Sequence, residues 1–155
     1  MKEAVGSSML LYIVIIVVGV IMLLFVSIMS YTKAYSAKNK IISAIETFEG
    51  YDDSSIEEIS ANLSKMGYTI TAQDFCNSTR VKNHLKELGI SGATNLNNSA
   101  KSKYGYCVYE VSTSRSGKYY VIATFINFSL PIVGTNFVFP VYGQTKIMGI
   151  DYSYN

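Results

Sequence analysis

The chain has one histidine, two cysteines, two prolines and no tryptophan among its 155 residues, and only 15% of it is charged. Each shortage closes off a class of function. His84, between Asn83 and Leu85 on a polar helix face, has no Ser or Cys motif to serve as a base, so it reads as a solvated side chain. A single histidine, a pair of cysteines and no dense carboxylate cluster give too few ligands for zinc, and Asp52-Asp53 reads as a turn and helix-start pair. No GxGxxG, GxxxxGK[ST] or GxSxG occurs, which leaves nucleotide binding and hydrolase chemistry without support. A net charge of +2 is too small for a nucleic-acid binder. Tyr119 and Tyr120 lack the basic interleaving of a base-stacking platform and read as core and cross-strand residues. The expectation is a protein without enzymatic activity, cofactor, metal or small-molecule substrate.

What is plentiful is concentrated at one end. Residues 9–29, MLLYIVIIVVGVIMLLFVSIM, form an apolar run without a charge. A helix rising about 1.5 Å per residue needs about 20 such residues to cross a hydrocarbon core roughly 30 Å thick. A cleaved signal has a shorter apolar region ending in small-x-small, which Ser27-Ile28-Met29-Ser30 fits poorly, so the run reads as an uncleaved anchor. Gly19 has no small residue four positions away, so a small-xxx-small pairing motif is missing, and Tyr12 reads as an interfacial ring. Lys33, Lys38 and Lys40 follow where anionic headgroups would sit. The expected organisation is a tail over 1–8, a transmembrane helix over 9–30, an amphipathic stem over 31–50 and a small α+β domain over 51–155.

The stem carries Ala34, Ile41, Ile45 and Phe48 on one face, with Ile42 beside them, before Gly50 and the Tyr51-Asp52-Asp53 turn. The combined helix over 9–49 would reach roughly 60 Å, holding a domain off the bilayer or offering a seam to a partner helix. A second helix is signalled by Ser54 and Ser55 with Glu57 and Glu58 three residues on, and by the stripe Ile56, Ile59, Leu63 and Met66 ahead of Gly67. Residues 68–70 read as a brief strand. Residues 74–88 read as a third helix with Phe75, Val81, Leu85 and Leu88 on one face, and 91–102 as a loop. The period then changes to two: 104–112 and 118–128 form a hairpin around the 114–117 turn, and 137–148 a third antiparallel strand with Pro140 at an edge or irregularity. This sheet of about three strands, rich in tyrosine, completes a small α+β head. Cys76 and Cys107 are either a disulfide, closing a loop of about 30 residues for a gain on the order of 3 kcal/mol, or two buried thiols.

Orientation is contested within the sequence. The positive-inside count, Lys2 and the terminal amine offset by Glu3 against three lysines after the anchor, places the head in the cytoplasm. The low charge of the head and its cysteine pair suit the exterior.

Two segments resemble the TadE-like proteins of Tad/Flp pilus and related secretion systems. One is the tail Gly6-Ser7-Ser8 leading into the anchor and the basic stem 31–40; the other is VIATFINF, Leu130-Pro131-Ile132-Val133-Gly134 and the closing strand VFPVYGQTKIM. The resemblance implies a minor pilin or pseudopilin-like component, anchored once in the cell membrane with its head outside, that assembles with other pilin-like subunits or secretion-platform proteins. It also implies prepilin-peptidase cleavage between Gly6 and Ser7. The chain departs from that pattern in having Leu11 where a glutamate is usual, while Tyr12 fits. The alternative is a membrane-tethered binding or sensing module unrelated to pili.

Overall fold

The computed structural model describes residues 2–68, 70, 74–90, 93–96, 103–113, 117–129 and 136–149. Helix α1 is a single helix, Lys2–Thr47, followed by α2 (Asp53–Lys65), a 3₁₀ turn (Asp74–Asn77) and α3 (Thr79–Glu87). Strands β1 (Thr94–Asn95), β2 (Tyr106–Ser112), β3 (Lys118–Ser129) and β4 (Asn136–Gln144) form an antiparallel sheet in chain order. The class is therefore α+β, with an apolar N-terminal helix, two shorter helices and a sheet of four strands rather than three.

The helix ends follow one chemistry. At each C-terminus a residue with positive φ turns the chain, and the next N–H donates back five residues: Glu49 (+53°) with Gly50 to Ile45, Gly67 (+64°) with Tyr68 to Leu63, Gly89 (+70°) with Ile90 to Leu85. Gly50 is thus one place past the left-handed residue that ends α1, and Glu49 takes the conformation that glycine takes elsewhere. Helix α2 starts earlier than the Ser-x-x-Glu pattern implies. Its cap is Asp52, whose Oδ1 accepts from Ser55 N–H at 2.8 Å while Ser55 Oγ accepts from Asp52 N–H at 2.9 Å. Glu57 and Glu58 are left exposed.

The stem does not stand clear of the head. Ala34, Ala37, Ile41, Ala44 and Ile45 are buried against α2 and one face of the sheet, where Tyr106, Val108, Tyr120 and Ile122 meet them. Phe48, expected on that face, is 39% exposed, and the small residues Ala37 and Ala44 take its place. They let the helix lie close. Gly143 on β4 serves the same approach, since a Cβ there would stand 2.7 Å from Lys38 Cδ and 2.9 Å from Ile42 Cδ1. Thr124 Oγ1 donates to the Ala34 carbonyl at 3.0 Å and satisfies a buried hydroxyl at the contact.

The opposite face of the sheet carries Cys107, Tyr109, Val121, Ala123 and Phe125, covered by Val81 and Leu85 of α3 and by Phe75 of the 3₁₀ turn. Residues 74–88 therefore break at Ser78 instead of forming one helix, and Leu88 is half exposed. Strand β3 lies between both layers, which explains why its sequence is almost continuously apolar. Strand β4 is an edge and holds Pro140 opposite Phe125. It ends at Gln144 because the register slips by one residue between Val121↔Gln144 and Lys118↔Met148, a bulge around Thr145. Residues 68 and 70 are not in a strand. Strand β1, short and polar, lies inside the expected 91–102 loop. Thr69, most of that loop, 114–116 of the hairpin turn, 130–134 and the tail 151–155 lie outside the described residues.

Candidate functional site

Between residues 9 and 29 the large side chains of α1 are exposed on every side, from 39% at Leu23 to 69% at Met29. An apolar surface of this extent needs a partner phase, and α1 is the one helix among the described residues long and apolar enough to cross a membrane. Two of its hydroxyls are satisfied within the helix. Ser27 Oγ donates to Leu23 O at 2.8 Å and Thr32 Oγ1 to Ile28 O at 2.9 Å, so neither hydroxyl needs water. Tyr12 and Tyr31, both exposed, bracket the segment at a spacing of roughly 28 Å along the helix, close to the thickness of a bilayer's hydrocarbon core. Tyr35 stacks on Tyr31 and takes Lys38 Nζ 4.0 Å above its ring. Tyr31 and Tyr35 are missed when the sequence is read for apolar periodicity alone, and their i, i+4 spacing beyond the run is the signal for them.

The head begins at once where this segment ends. Helix α2 runs back along α1, so that Ser54 lies beside Phe48 and Met66 beside Thr32. Ile28, Met29, Thr32, Lys33, Ser36 and Met66 line an open groove of about 370 Å³. On another side of α1, Ser30 and Lys33 meet Tyr68, Phe125, Ile126 and Asn127 around a cavity of about 140 Å³.

Cys76 and Cys107 are joined as a disulfide with Cα atoms 5.5 Å apart, tying the 3₁₀ turn to β2. Around it run tyrosine hydroxyls. Tyr109 OH donates to Cys76 O at 2.6 Å; Tyr68 OH donates to Gly105 O at 2.9 Å and accepts from Phe125 N–H at 3.1 Å; the hydroxyls of Tyr51 and Tyr106 lie 3.1 Å apart. Burial pushes Tyr68 and Tyr109 up to about 12 and raises Tyr51 as well, by removing water from the phenolate. His84 stacks on Tyr142 at 3.8 Å, with Nδ1 3.7 Å from Glu87, so it is a half-covered packing residue and not a freely solvated one. The Tyr142 hydroxyl beneath it is buried without a hydrogen-bond partner, and its pKa is raised by burial and then by Glu87.

Gly6 and Ser7 lie in the first turns of α1. Among the described residues no three His, Cys, Asp or Glu side chains come together as a metal site would require. No family model, no curated protein and no solved structure matches this chain.

Proposed function

We propose that this protein is a non-enzymatic, single-pass membrane subunit of the pilin-like kind, acting in the assembly of a Tad/Flp-type pilus or a related secretion apparatus. The observation that carries this reading is the double use of α1: one half is bare and apolar, and the other is the core helix of the sheet head. The unbroken passage from one to the other supports a permanent anchor over a cleaved leader. The disulfide suits an oxidising compartment and so supports an exterior head against the positive-inside count.

Because the stem's apolar face is filled by its own sheet, lateral contacts with other pilin-like subunits or platform proteins fall to residues 9–29. Leu11 leaves that seam without a buried glutamate, which fits a priming or anchoring subunit better than a repeating one. Leu11 also favours the second reading, a tethered binding module. Deleting the coding sequence separates the two. Loss of surface filaments by electron microscopy, restored by the full chain, is the expected result, and filaments that persist without the protein refute the assembly role.

A further inference from the structure

We propose that the base of the head is a lipid-docking surface, in which the groove between α1 and the end of α2 takes the upper acyl chain of a phospholipid and Lys33 meets its phosphate. This rests on the reading of 9–29 as a membrane span. Placing Tyr12 and Tyr31 at the two interfaces puts Ile28, Met29 and Thr32 at the boundary of hydrocarbon and headgroups. Met66 stands across the groove from them, so the end of α2 reaches the same depth. The groove wall of Ile28, Met29 and Met66 continues the apolar surface of the span, and the groove is open rather than enclosed. Lys33, exposed at the groove, supplies the one charge among its lining residues, and that charge is positive. On another side of α1, Asn127 of β3 arrives beside Ser30, so two sides of the head descend to this level. A bilayer is thus the occupant, in preference to a second protein.

The absence of tryptophan gives a direct test. The full chain carrying Met66→Trp, Phe48→Trp or Val20→Trp is reconstituted in phosphatidylcholine vesicles containing phosphatidylglycerol, with lipids brominated either near the headgroup or near the chain end. Val20→Trp should be quenched by the deep bromines; if no brominated lipid quenches it, the span reading itself fails. Met66→Trp should be quenched by the shallow bromines several-fold more strongly than Phe48→Trp, which lies roughly 28 Å beyond Met29 along α1. Equal, weak quenching at both positions while Val20→Trp is quenched overturns the docking surface alone. Lys65→Trp, exposed in the last turn of α2, repeats the depth measurement should Met66→Trp disturb packing. Adding Lys33→Glu to Met66→Trp should reduce shallow quenching several-fold in these anionic vesicles, and unchanged quenching overturns the assignment of the phosphate to Lys33.

Discussion

Glu49 holds a left-handed backbone that two glycines hold at the other helix ends. Its Cβ makes that conformation cost about 1 kcal/mol, so Glu49→Gly should raise stability by about that amount, read as a higher denaturation midpoint. The tyrosines divide by whether their hydroxyls are used. Tyr142 OH is buried and unpaired, so Tyr142→Phe should be neutral or stabilising by up to about 1 kcal/mol. Tyr68→Phe removes the partner of the Phe125 N–H and the Gly105 carbonyl and should cost about 1–3 kcal/mol, measured by the same unfolding curves. The raised tyrosines also set a pH limit. A free phenol titrates near 10, whereas Tyr68 and Tyr109 hold their protons to about 12. The folded state thus binds protons the unfolded state has released. Stability should be flat up to about pH 10 and fall between about 10 and 12, as followed by denaturation alongside tyrosinate absorbance.

At the scale of elements, the disulfide closes a loop with a sequence separation of 31. The double variant Cys76→Ser, Cys107→Ser should lose about 2–4 kcal/mol, and the oxidised wild type should migrate faster than this variant on non-reducing gels. The elements themselves differ in how plainly the sequence announces them. Helix α1 is legible from the length of its unbroken apolar run, the β2–β3 hairpin because two long runs of β-branched and aromatic residues flank one turn, and α2 because its stripe ends at Gly67. The division of 74–88 into a turn and α3 is not legible, since Phe75 and Val81 lie on one helical face and the break at Ser78, where the backbone is extended, depends on how both segments pack on the sheet. Strand β1 is hidden because Thr94 and Asn95 are exposed and carry no apolar alternation. The packing of the stem is half legible. Ile41 and Ile45 declare a buried face, but Ala37, Ala44 and Gly143, which set how closely helix and sheet approach, give no hydrophobic signal of their own. At the junction, the lysines are visible in the sequence while Met66 is not, because only the antiparallel return of α2 brings it beside Thr32.

For the molecule as a whole, the boundary that matters lies before the stem. The head's core begins at Ala34 and takes five residues from α1. A fragment of residues 31–155 should therefore fold as a soluble unit with dispersed amide spectra, whereas 51–155, deprived of Ile41 and Ile45 at about 2–5 kcal/mol for each large side chain lost, should not. A folded 51–155 would mean that the stem is dispensable.

Since one 46-residue helix carries the apolar run 9–29 and then enters the core of the head, no break in the helix separates the two halves among the described residues. Rotation or tilt of the lower half reaches the sheet through continuous helix, and a pull on the sheet arrives below as axial load. A shaft of roughly 69 Å with a sheet fixed to one end is a lever, so a small tilt at the head becomes a larger sideways displacement at the far tip.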